Sequence, residues 1–176
     1  MIFIDVQGFQ YEHLVPFQCK EIAILNARTM ECVHKFVEMP ISIEAWNYKL
    51  QQYFNGTTNQ VHGLDWNQSN GCDGDLKQED ITTFLTQYVT STEMVVVVNG
   101  GQTKNFLEKY LNGANVIIDL DEVFENGDTV DYCPSTNILK DIFKSHHCNG
   151  HDKNDLNCSL ENVYNFYHWY TYCRSN

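Results

Sequence analysis

The opening stretch Met1-Ile-Phe-Ile-Asp-Val-Gln-Gly-Phe9 reads as a β-strand, with Ile2, Phe3, Ile4 and Val6 around the single acid Asp5 and Gly8 ending it. Residues 17–27, Phe-Gln-Cys-Lys-Glu-Ile-Ala-Ile-Leu-Asn-Ala, read as a second strand. Cys32 to Val37 reads as a third, stopped by Pro40. Short spacers make these three an antiparallel meander. Further along, Val95-Val-Val-Val98 and Val116-Ile-Ile-Asp-Leu120 have the β-branched continuity of fully buried strands. Helical spacing surrounds them: Ile81, Phe84, Leu85 and Tyr88 within 78–88; Phe106, Leu107, Tyr110 and Leu111; and Ile138, Leu139, Ile142 and Phe143. Residues 42–54, carrying Trp46, Leu50 and Phe54, add a short helix. Between them, Asn55 to Asp75 is a long polar loop, and loops of that length are usually functional or mobile. Its His62, Asp65 and Trp66 could stack on and hydrogen-bond a base; the simpler reading, an anchoring tryptophan in a surface loop, is preferred. Asn99-Gly-Gly at a helix start could receive a phosphate on its backbone N–H groups. Without a nucleotide-loop lysine it reads better as a tight turn.

Composition limits the function classes. A chain of 176 residues, 43% hydrophobic and 13% aromatic, predicts one globular domain over residues 1–176. No apolar run is long enough for a bilayer, and the opening residues lack the pattern of a signal peptide. Seven cysteines without such a signal fit reduced thiols of an intracellular protein, in cytoplasm or nucleus, better than a disulfide framework. Eleven basic against 23 acidic residues give a formal net charge of −12, and the basic ones are scattered singly. Phosphate backbones are gripped by clusters of Lys and Arg, so broad duplex nucleic-acid binding is disfavoured. A local groove for single-stranded RNA, or a protein partner, remains compatible.

The segment from Cys148 to Cys173 carries the strongest chemical signal. Cys148-Asn-Gly-His151 places thiol and imidazole in a Gly-containing turn. Cys158 follows after six intervening residues, at the start of a helix whose apolar positions (Leu156, Leu160, Val163, Tyr167, Tyr170) recur at three- and four-residue steps. Thiolate and imidazole at this spacing suit zinc. A fourth ligand is open at this point: Cys133, His147 and Cys173 are the first choices by ligand type, and a carboxylate such as Glu21 is admissible without anything local selecting it.

Three antiparallel strands followed by crossover strands on one sheet predict an α/β, RNase H-like fold, a mixed sheet flanked by helices. Three stretches resemble the DEDDh exonucleases within that class. Ile4-Asp5-Val6-Gln7 resembles their first strand, where Asp-x-Glu binds two metal ions. Val95 to Leu107 resembles the strand-turn-helix of their second motif, with Asn99 matching and Thr103 at the place of a metal-binding aspartate. Asn157-Cys-Ser-Leu-Glu-Asn162-Val resembles their third motif, with Asn157 and Asn162 at the histidine and aspartate places. Of those five positions only Asp5 keeps its acid; Gln7, Thr103, Asn157 and Asn162 are neutral. Two-metal hydrolysis needs clustered carboxylates, so the usual exonuclease mechanism is not expected. Asp119, Asp121 and Asp141 read as strand ends and helix surface.

A degenerate DEDDh fold with Cys-x-x-His and a following Cys on its last helix resembles the Maelstrom domain. That resemblance implies a Glu-Cys-His-Cys zinc set falling on Glu21, Cys148, His151 and Cys158, and a role linked to piRNA-guided transposon silencing. Four protein ligands leave no open position on the ion, so the zinc is expected to be structural. The function expected is a non-catalytic interaction module for a protein or single-stranded RNA. The alternative is a diverged ribonuclease that cuts single-stranded RNA without the two-metal site.

Overall fold

A computed structural model describes residues 1–11, 15–64, 66, 76–111, 115–125 and 158–175. The meander is present as β1 (Ile2–Tyr11), β2 (Val15–Asn26) and β3 (Cys32–Glu38), each antiparallel to the next. A two-residue strand β4 (Leu76–Lys77) runs parallel to β3 at one edge. Beyond β1 lie β5 (Val96–Val98) and β6 (Ile117–Asp119), both parallel, so the described sheet has the order β4-β3-β2-β1-β5-β6. Five α-helices accompany it among the described residues: α1 (Tyr48–Thr57), α2 (Ile81–Tyr88), α3 (Gly101–Tyr110), α4 (Leu120–Glu125) and α5 (Ser159–Ser175).

Alternation along β1 assigns the two faces of the sheet. Ile2, Ile4 and Val6 join Ile22, Ile24, Val96 and Val98 under α2 and α3, which contribute Ile81, Phe84, Leu85, Phe106 and Leu107. Phe3, with Ala23, Leu25 and Val97, turns the other way and packs on Val163, Phe166 and Trp169 of α5. Farther along, Phe9 and Tyr11 meet Leu50 and Phe54 of α1 and the ring of Trp66. Odd-numbered Asp5 and Gln7 therefore sit between two apolar clusters, one under α5 and one under α1.

A bulge decides what β2 offers to that side. Gln7 pairs with Glu21, but the next residue of β1, Gly8, pairs with Cys19, so Lys20 is the extra residue. The insertion reverses the alternation. Glu21, Ala23 and Leu25 keep the α5 side, while Cys19 joins the core under α2 and α3. Gly8 does not end β1 as expected. A Cβ there would fall on the carbonyl oxygen of Gln18, so the missing side chain is what lets the two strands close over the bulge.

Other expectations shift at their edges. The residues expected to begin the long loop continue α1 to Thr57 and then form a π-helical turn, Thr58–His62, closed by Gly63 at φ 66°. Trp66 is 2% exposed, donates its indole N–H to Ile41 O at 2.8 Å and stacks on Phe54 with ring centroids 4.6 Å apart. It anchors the chain and presents no face to a base. Leu120 begins α4 instead of ending a strand. The helix expected around Ile138 to Phe143, the turn at Cys148 and His151, and Cys133, Asp141, His147 and Asn157 lie outside the described residues. Among the described residues no helix is long and apolar enough to cross a membrane.

Replacing Gly8 by alanine is expected to cost about 3 kcal/mol, because the new methyl group opposes backbone and not a movable side chain. Chemical denaturation of the two proteins checks this, and a difference under about 0.5 kcal/mol, the range of ordinary surface substitutions, would count against the bulge.

Candidate functional site

Two small groups of polar side chains occupy the α5 side of the sheet. In the first, the Asp5 carboxyl is 2% exposed and accepts at Oδ2 from Gln7 Nε2 (2.9 Å) and from Asn162 Nδ2 of α5 (3.0 Å). Burial pushes the Asp5 carboxyl up to about 7, with a further rise from the nearby Glu21; the Gln7 and Asn162 amides pull the other way without offsetting it. Three of the five expected exonuclease positions, Asp5, Gln7 and Asn162, are thus joined by hydrogen bonds. Thr103 is buried on α3 but stands outside this bonded group, and Asn157 lies outside the described residues.

The second group is built on Glu21, which is completely buried. Its Oε2 accepts the backbone N–H of Ser159 at 2.9 Å, in the first turn of α5. Its Oε1 lies 2.6 Å from His34 Nε2 and 3.7 Å from Cys158 Sγ. Of the four residues expected to hold zinc, the structure brings Glu21 and Cys158 into contact across most of the sequence; Cys148 and His151 lie outside the described residues. Among the described residues no group of three or more His, Cys, Asp or Glu side chains is placed to hold a metal ion.

The pair can be tested against zinc geometry. With Zn–O near 2.0 Å and Zn–S near 2.3 Å at tetrahedral angles, an oxygen and a sulfur on one ion stand about 3.5 Å apart. The 3.7 Å between Glu21 Oε1 and Cys158 Sγ matches that edge. An oxygen and an imidazole nitrogen on the same ion stand about 3.3 Å apart. His34 Nε2, at 2.6 Å, is too close for that and is at hydrogen-bonding distance instead. Carboxylate and thiolate thus fit as two corners of a zinc tetrahedron, and His34 is a partner of the carboxylate.

His34 is the residue that sequence reasoning missed. Glu21 pairs with Phe36 across β2 and β3, and Ala23 with His34, so His34 is the diagonal neighbour of Glu21 on the same face. A lone histidine in a strand carries no such signal until the register is known. Cys19, two residues before Glu21 in sequence, is removed from the group by the bulge. Its thiol donates to Glu21 O, and burial together with the Glu21 and Asp5 carboxyls holds it strongly in the neutral form. Asp119 has a local task, with Oδ1 accepting from Gly100 N (2.8 Å) and Asp121 N (3.1 Å), which ties the end of β6 to the entrance of α3.

No protein-family model matches the sequence, and no curated protein does. Solved structures of the Mopeia virus exonuclease domain do match in three dimensions. One, described as fully depleted of manganese, has a TM-score of 0.58 at 17% identity and covers 97% of this chain and 75% of that one. Another, described as partially complexed with manganese, has a TM-score of 0.60 at 19% identity, covering 97% and 76%. The chain has the RNase H-like fold of DEDDh exonuclease domains. At these identities the likeness is one of fold. The mixed sheet, the meander and the face covered by α5 are accounted for in that frame.

The raised Asp5 carboxyl makes a pH prediction. Its folded-state value, about 7, lies above the value of 3.8 it takes when solvated. Its contribution to stability is therefore complete at acid pH and is lost as pH rises through about 7. Asp5→Asn keeps an acceptor for both amides and removes the titration. The variant should gain on wild type between pH 5 and pH 8 by on the order of 3 kcal/mol, read from denaturation midpoints at each pH. A constant difference across that range would refute the burial argument.

Proposed function

We propose that this chain, as a single module over residues 1–176, is a non-catalytic, zinc-stabilised RNase H-like protein of the Maelstrom type. It binds a protein partner or single-stranded RNA inside the cell, in the setting of piRNA-linked transposon silencing. The observation that carries the non-catalytic part is the state of Asp5. It is the one acid left at the five exonuclease positions, and its Oδ2 is taken by amide N–H groups of Gln7 and Asn162. Two metal ions need several carboxylates to neutralise them. Here the neighbouring groups are neutral donors aimed at the oxygen a cation would need, so they favour a carboxyl without a metal.

The contact of Glu21 with Cys158 supports the zinc part. With Cys148 and His151 the ion would have four protein ligands and no position for water, which suits stabilisation and not hydrolysis. Such an ion would fasten β2 to the start of α5, contributing on the order of 10 kcal/mol to folding.

A second reading, a diverged ribonuclease acting on single-stranded RNA, draws support from the fold shared with viral exonuclease domains. It would need reacting groups other than the five exonuclease positions.

Two measurements decide between these readings. Metal analysis of the purified protein should find about one zinc per chain, lost in Cys148→Ser and in Cys158→Ser. Labelled single-stranded RNA incubated with the protein should stay intact with or without added manganese or EDTA. Cleavage that follows the protein through purification would establish the ribonuclease instead, and its persistence in Asp5→Asn would place the reacting groups outside the five exonuclease positions.

A further inference from the structure

We propose that the outward face of α1 is the surface on which this chain takes single-stranded RNA, with bases stacking on Tyr48 and Tyr53. The inference rests on the RNA half of the reading above and gives it a place in the fold. Leu50 and Phe54 turn inward from α1 and pack with Phe9 and Trp66, so the helix is held against the sheet by one face. Tyr48, Lys49, Gln52 and Tyr53 lie on the other and are all exposed. Four-residue spacing makes Tyr48 a neighbour of Gln52 and Lys49 a neighbour of Tyr53 on that surface. Tyr48 is 72% exposed and Tyr53 45%, and about 7.5 Å of helix axis separates them.

Both rings are already held in place. Gln52 Nε2 donates to Tyr48 Oη at 2.6 Å. The Tyr53 ring meets Tyr11, at the end of β1, edge to face with centroids 4.8 Å apart. Lys49 Nζ stands 5.6 Å from the centroid of the same Tyr11 ring, which places a cation beside the two tyrosines. Aromatic groups fixed before binding lose little further freedom when a base stacks on them. Charge singles out the same surface. Residues 45–64 contain no Asp or Glu, the longest such stretch in a chain with a formal net charge of −12. A phosphate backbone approaching α1 meets a lysine and side-chain amides (Gln52 and Asn55) in place of carboxylates. Two exposed phenol rings, a cation and amides, with no exposed aliphatic side chain among them, suit stacking and hydrogen bonding to unpaired bases better than the apolar core of a protein interface. Paired bases present no face to the rings, so the surface selects single strands.

The test is fluorescence anisotropy of a short labelled oligoadenosine at low salt, with the wild-type chain, Tyr48→Ala, Tyr48→Phe and Tyr53→Ala. We expect wild type to bind, each alanine variant to bind about 5- to 100-fold more weakly, and Tyr48→Phe, which keeps a ring, to match wild type. Unlabelled duplex RNA should fail to compete. With a single lysine at the surface, log affinity should fall with log salt at a slope near −0.7. Tyr53 also touches Phe54, so Tyr53→Leu, apolar but without a ring, replaces the alanine variant should that one not fold. Binding unchanged in the variants at both tyrosines would overturn this surface and leave the RNA reading standing. Equal weakening in Tyr48→Ala and Tyr48→Phe would overturn the stacking, and a salt slope several times steeper would move the contact to a basic cluster elsewhere. A wild-type chain that binds no RNA would remove the RNA half of the reading and this inference with it, leaving the protein partner.

Discussion

Burying the carboxyl group of Glu21 at 0% exposure removes it from water, and a polar group in that situation is tolerated only where its hydrogen-bonding capacity is met inside the protein. The partners that meet it come from two other elements. Ser159 supplies one of the N–H groups that a helix start leaves without an intrahelical acceptor, so Glu21 caps α5 from the sheet. A negative charge there would also be favoured by the helix dipole. His34 approaches from β3 and Cys158 from the residue just before α5. One side chain on β2 thereby fixes where the last helix begins, and the placement of Asn162 one turn later follows from it.

That placement decides what stands against the face of the sheet that carries Asp5. The backbone framework is intact: β1 lies centrally, β5 and β6 run parallel beside it, and α5 crosses the face that Asp5 points to. Amides at positions 7 and 162 hold the remaining carboxyl by hydrogen bonds, where acids would repel it unless cations lay between them. The amide donors satisfy the Asp5 carboxyl by hydrogen bonds within the protein. A second polar centre lies beside it, around Glu21, which accepts from Ser159 N–H and stands against His34 and Cys158.

The bulge at Lys20 is the local irregularity that keeps Cys19 away from both centres. Without it, strict alternation would carry the phase of Glu21, Ala23 and Leu25 past Gln7, placing Cys19 on the α5 side and under the same helix. With it, Cys19 is sealed into the opposite core, while Glu21 stays on the face it shares with Asp5. Gly8 makes the close approach possible. Read along the chain, that glycine looked like the end of a strand, because a sequence shows the missing side chain and not the carbonyl of Gln18 that requires its absence.

Much of the fold was legible from residue order alone. Apolar alternation in residues 1–9, the β-branched runs at Val95–Val98 and Val116–Ile118, and the three- and four-residue spacing in 78–88 are local patterns, and local patterns survive folding because backbone geometry imposes the same periods everywhere. The neutral residues at positions 7, 103, 157 and 162 were equally plain, since residue type is read directly from the sequence. Glu21 was reached only through a family resemblance, and His34 not at all. Trp66 lay in a polar stretch that concealed its burial against Phe54. These belong to tertiary structure for a physical reason: strand register, the single-residue bulge and the approach of α5 decide which distant side chains meet, and none of the three leaves a periodic trace in the chain itself.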